Sequence, residues 1–144
     1  MVETGTLMGL FFVCSVEDIR KKQVNLCVLL CSGILAVLFH LYWGSHDIFD
    51  MLGGSALGLF VLLCSKITGG KVGEGDGLFL MMTGLFLGWR GNLTVYFLGT
   101  FLAGVYGLVQ LCRHRKRRHD EIAFVPFLGI AYVILLLLQM EVGG

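Results

Sequence analysis

The stretch LTVYFLGTFLAGVYGLVQLC, Leu93–Cys112, contains no charged residue and is followed at once by RHRKRRH at positions 113–119. A helix of that length reaches about 30 Å, the hydrocarbon thickness of a bilayer. Five more apolar stretches flank it: Thr4–Val16, Val24–Trp43, Ile48–Ile67, Leu78–Trp89 and Ile122–Met140. The first and fourth are too short to span on their apolar cores, so each is expected to extend into its polar flank. Composition agrees. Of 144 residues, 56% are hydrophobic and 15% are charged, and the mean hydropathy is +0.83. An average soluble domain is roughly one-quarter charged, and a soluble core of this size could not hide so much apolar surface. The single proline and the long uninterrupted runs favour helices over a barrel of alternating strands. The expected fold is an all-α integral membrane protein, a bundle of about six transmembrane helices forming one domain over residues 1–144.

Charge placement orients the bundle. Arg20, Lys21 and Lys22 follow the first stretch, Lys66 and Lys71 the third, and Arg113, Arg115, Lys116, Arg117 and Arg118 the fifth. Of the 11 basic residues only Arg90 falls on the other side, where Asp47 and Asp50 also lie. Positive loops stay in the cytoplasm. The expectation is a multi-pass protein of the cell's inner (plasma) membrane, with both termini outward and three basic loops inward. The cluster Arg113–His119 reads first as a topology anchor, and secondly as a site for anionic lipid or a partner. The segment Met1–Thr6 carries Glu3 and no basic residue, unlike a secretory leader.

The five cysteines lack ligand spacing. Cys27 and Cys31 are four apart on one apolar run, Cys14, Cys64 and Cys112 lie in or at the ends of others, and there is no CxxC pair. They read as small apolar side chains. No metal, cofactor or nucleic acid is expected as a partner.

Two acids stand out by position. Asp18 follows the first stretch in Ser-Val-Glu-Asp-Ile-Arg, and Asp76 precedes the fourth in Gly-Gly-Lys-Val-Gly-Glu-Gly-Asp-Gly. The topology puts both at cytoplasmic helix ends, where they can meet. Two close carboxylates share a proton. The ionised one can take a proton from water, and the protonated one can polarise a scissile carbonyl. Gly69, Gly70, Gly73, Gly75 and Gly77 surround Asp76 and would let an extended substrate approach it. The competing reading is a flexible loop with a solvated acid, and Glu17 is a rival beside Asp18.

Taken together, three segments resemble the prepilin peptidase family. GKVGEGDGLFLMMTGLFLG, Gly70–Gly88, resembles its glycine-rich loop ending in Gly-x-Gly-Asp. Asp18-Ile-Arg-Lys-Lys-Gln-Val resembles its first motif, and Ile122-Ala-Phe-Val-Pro-Phe-Leu-Gly its last-helix motif. The order matches the family's. The resemblance implies an aspartic endopeptidase with Asp18 and Asp76 catalytic, and with Gly73, Gly75 and Pro126 at the substrate. It implies cleavage of the short basic leader of type IV or Flp-type prepilins at the cytoplasmic face. The chain departs from the family pattern at Val24-Asn25-Leu26, at Gly77-Leu78 and at Ala123. It carries no insert with paired CxxC motifs, so the resemblance implies peptidase activity without N-methylation, as in the small peptidases of tight-adherence pili. The rivals are a non-catalytic membrane protein, either an assembly scaffold or a transporter subunit, and the same fold with another signal-anchored substrate. Spans nearly free of charge argue against transport. His40 lies near the outer end of its stretch, where Trp43 marks the boundary.

Overall fold

The computed structural model describes residues 2–21, 26–43, 47–69, 73–113 and 123–142. These are helical, with no strand among the described residues: α1 Val2–Lys21, α2 Leu26–Trp43, α3 Ile48–Ile67, α4 Glu74–Cys112 and α5 Val125–Val142. α3 matches its apolar stretch end for end. α1 and α4 run past theirs into polar flanks, as the short apolar cores require. The beginning of the second stretch, Ile122, Lys22, Lys71 and the cluster from His114 to His119 lie outside the described residues.

Among the described residues two helices, Ile48–Ile67 and Glu74–Cys112, are long and apolar enough to cross a membrane. Only 22% of the most apolar window of α3 is buried, so its apolar side chains face outward, the reverse of a soluble core helix. Phe12, Leu41, Phe49 and Phe97 are among many large apolar side chains left exposed, as lipid solvation allows and water does not.

α4 departs from the expected loop around Arg90. Residues 90–92 are helical, and the interruption is a single residue, Gly88, at φ 65° and ψ −173°. That region of backbone space is essentially glycine's alone. A straight helix would hold Leu80 and Asn92 about 18 Å apart. Instead Asn92 Nδ2 donates to the Leu80 carbonyl at 2.9 Å. The halves of α4, residues 74–87 and 89–112, therefore fold back on each other at Gly88.

Asn92, which falls between the fourth and fifth apolar stretches, is fully buried. Its Nδ2 also donates to the Gly54 carbonyl at 2.8 Å, and its Oδ1 accepts from the Thr83 hydroxyl at 2.8 Å. One amide thereby ties α3 to both halves of α4. A polar group buried this deeply holds its place only when it is hydrogen-bonded.

Glycines set how closely α3 and α4 pack. A Cβ on Gly58 would fall on the Met81 backbone, and one on Gly54 on the Gly84 carbonyl. A Cβ on Gly77 would lie 2.8 Å from the Leu62 nitrogen. Small residues at such spacing let helix backbones touch where no hydrophobic effect drives association. Gly77, read from sequence as clearance for a substrate, is thus taken up by helix packing.

A third layer joins α1, α4 and α5. Phe11 stacks on Tyr132 with centroids 5.0 Å apart and meets Phe79 edge-on at 5.1 Å. Cys14, Leu128 and Val125 complete this core.

Candidate active site

Asp18 lies in the last turn of α1, past that helix's apolar stretch, and is only 6% exposed. Its Oδ2 accepts the Val125 N–H at 3.0 Å, across 107 positions of sequence. Val125 is the first residue of α5. The opening amides of a helix have no intrahelical partner and carry the positive end of the helix dipole. The α1 carboxylate thus caps α5. Phe124 N–H adds a second hydrogen bond to the same group.

Asp76 occupies the first turn of α4, ahead of its apolar run at Leu78, and is partly buried. Its backbone N–H donates to the Gly73 carbonyl at 3.1 Å, and its side chain folds back over the same residue. A Cβ on Gly73 would sit 2.6 Å from Asp76 Oδ2. Glycine at 73 therefore makes room for the catalytic candidate's own carboxylate. Gly75, the second residue of α4, is partly buried.

Electrostatics couples the two acids. Burial pushes the Asp76 carboxyl above its ordinary range, and the charge of Asp18 pushes it further. Burial raises Asp18 as well, against the downward pull of the Val125 and Phe124 N–H groups. The ends of α1, α4 and α5 thus bring both aspartates within electrostatic reach, Asp18 buried and capping α5 and Asp76 partly buried in the first turn of α4. Such a pair can hold a single proton between two carboxylates, the state that activates water for hydrolysis.

Pro126 follows Val125 in the first turn of α5 and is partly buried. A proline there costs no helical hydrogen bond and presets the backbone angle, directly after the two capping amides. Glu17 is partly buried beside Asp18, while Glu74 is exposed. None of the five cysteines is in a disulfide: Cys14 is buried, Cys64 partly so, and Cys27, Cys31 and Cys112 are exposed. His40 is half-buried in the last turn of α2.

The Val125 and Phe124 amides were not among the residues picked out in the sequence. Their signal was present, since a proline opening an apolar run marks a helix start, and a helix start beside an acid is a natural cap.

The described residues are helical with an apolar exterior, and they bring two carboxyl groups to converging helix ends. The profile of the type IV leader peptidase family matches residues 6–108, and the chain belongs to that family. It is 29% identical over 140 residues to a prepilin leader peptidase/N-methyltransferase of Aeromonas salmonicida (strain A449). A protein of the same description from Aeromonas hydrophila is also 29% identical over 140 residues. Each alignment covers 93% of this chain and 47% of the relative, so the chain spans about half the length of the curated relatives it matches. No solved structure matches.

Proposed function

We propose that this chain is an aspartic endopeptidase that removes the short basic leader of type IV or Flp-type prepilins, with Asp18 and Asp76 as its catalytic pair. The observation that carries this reading is the meeting of both acids at the ends of α1, α4 and α5, with the charge of Asp18 acting on a partly buried Asp76. The family's substrates supply the other support.

One carboxylate removes a proton from water while the water oxygen bonds to the scissile carbonyl carbon. The other donates a proton to the carbonyl oxygen. As the C–N bond breaks, the leaving nitrogen takes a proton from the pair. Gly73, Gly75 and Pro126 line the approach of an extended leader. Their small or fixed backbones leave room beside Asp76 and hold the α5 cap in place.

The fold-back of α4 at Gly88 favours two spans in that helix and so six in all. Arg20, Lys21, Lys66 and Arg113, described at helix ends, together with the basic residues outside the described segments, favour a cytoplasmic site in the inner membrane with both termini outward. Among the two activities in the relatives' description, leader cleavage is the one these residues serve.

The test is cleavage of a candidate prepilin by the purified chain in lipid. Asp18→Asn and Asp76→Asn should each reduce cleavage to background while the protein still accumulates in the membrane. Glu17→Gln and Glu74→Gln should retain most activity. Near-normal cutting by Asp76→Asn would transfer support to a scaffold role.

A further inference from the structure

The two aspartates are held by unlike surroundings. Asp18 Oδ2 receives the Val125 N–H at 3.0 Å at the opening of α5, with Phe124 N–H beside it. Asp76 lies in the first turn of its own helix, α4, but its carboxylate accepts no hydrogen bond among the described residues. It turns over Gly73, where only the absent Cβ makes space, and it packs one turn from the fully buried Phe79.

The other ionisable groups around Asp18 do not offset this difference. On α1, Glu17 is partly buried, Arg20 and Lys21 are exposed, and Cys14 lies one turn back. On α4 there are Asp76 and the exposed Glu74. The first turns of α5 and α2 carry no charged side chain.

We propose that the N-terminus of α5 fixes Asp18 as the ionised, water-activating member of the pair and leaves the shared proton on Asp76. The assignment rests on the protease reading above and adds to it a division of labour and a positioning role for the Val125 backbone.

A carboxylate accepting two backbone N–H groups at a helix N-terminus is stabilised in its charged form. A carboxyl without such donors and facing apolar side chains is stabilised in its neutral form. Burial raises both groups, the amides oppose the rise at Asp18, and the Asp18 charge adds to it at Asp76.

Each step then has an owner. Asp18 takes the proton from water as the new O–C bond forms, and Asp76 gives its proton to the carbonyl oxygen. When the tetrahedral centre collapses, Asp76 recovers its proton and the C=O bond re-forms. The C–N bond breaks, and the leaving nitrogen takes the proton held by Asp18. The pair ends as it began.

The experiment uses the full chain in detergent micelles or lipid, labelled with ¹³C at aspartate carboxyls, with resonances assigned through Asp18→Asn and Asp76→Asn. The expected result is that the Asp18 carboxyl ionises at lower pH than that of Asp76. Val125→Pro removes one donor at a position where proline suits a helix start. It should raise the titration of Asp18 by about one pH unit, and the acid limb of the pH–rate profile should move upward with it. Should that variant not fold, an ester in place of the amide at 125 removes the same N–H and keeps the valine side chain. Ionisation of Asp76 before Asp18, or an Asp18 titration unmoved by loss of the donor, overturns the assignment. If instead both asparagine variants still cleave prepilin, the protease reading itself fails, whatever the titration order.

Discussion

Two regions of this molecule use the same three parts. At one, the Asp18 carboxylate from α1 accepts the N–H that opens α5, and the neighbouring acid Asp76 lies over a glycine, Gly73, whose Cβ would collide with it. At the other, Asp50 in the first turn of α3 accepts the Trp89 N–H at 3.1 Å, where the second half of α4 begins. A Cβ on Gly88 would collide with the Asp50 carboxylate. Each region therefore has a carboxylate, a helix N-terminus and a glycine that yields space. They differ in what is added. Asp18 is buried and acts electrostatically on a second acid, whereas Asp50 is half-buried and sits at a reversal of the chain. A capping carboxylate by itself is architecture. It becomes a candidate for chemistry when a second carboxyl shares its low-dielectric surroundings.

The sharpest way to break the comparison is to remove charge while keeping shape at each acid. Asp18→Asn and Asp76→Asn should each drop prepilin cleavage to background, since members of a catalytic unit fail together. Asp50→Asn should retain most cleavage, because an amide oxygen still accepts the Trp89 N–H. Initial rates on one prepilin, normalised to folded protein, compare all three. Equal loss at Asp50 would mean that the two regions serve the same purpose.

The glycines give the next largest contrast. Gly88→Ala forces a side chain into a backbone region reserved for glycine and into Asp50, at a cost of about 1–3 kcal/mol. It should appear as a lower unfolding midpoint in detergent, with activity per folded molecule preserved. Gly73→Ala has no such backbone conflict, at φ −61° and ψ 123°, but it displaces the Asp76 carboxylate. It should lower kcat by roughly 10- to 100-fold, since small misplacements of reacting groups are costly, with little change in the midpoint. If Gly73→Ala unfolds the protein and Gly88→Ala silences it, the assignment of the two regions is reversed.

A smaller effect is expected at the cap itself. Asp50→Ala leaves the Trp89 N–H without its acceptor and should cost about 1 kcal/mol. The difference between the alanine and asparagine variants in thermal unfolding isolates the hydrogen bond.

The smallest concerns titration. Asp76 is raised first by burial and second by the charge of Asp18. Asp18→Asn removes only the second cause. The Asp76 carboxyl should then ionise at lower pH than in the unaltered protein but still above an ordinary aspartate, as infrared carboxyl bands would record. No downward movement would mean that the two acids are not coupled.

Much of this was legible in the chain. Apolar runs, their length and the charges between them report a local property, the transfer of each segment between water and lipid. That is why the stretch at about Ile48–Ile67 was readable as one helix and why α1 and α4 extended as expected into polar flanks. Asp18 and Asp76 were legible as candidates because each follows or precedes such a run within a recognisable motif. What only the tertiary structure decided are the pairings. The 107 positions between Asp18 and Val125, the fold-back that seats Asn92 against Leu80 and Gly54, and the use of Gly77 against Leu62 leave no local periodicity. The stretch around Arg90 read as a loop because its charge and its glycines interrupt the apolar pattern, yet one glycine at positive φ suffices to reverse the chain. Hydropathy is a sum over neighbours in sequence. A hydrogen bond or a backbone contact depends on which faces of distant helices meet, and that is fixed only when the bundle packs.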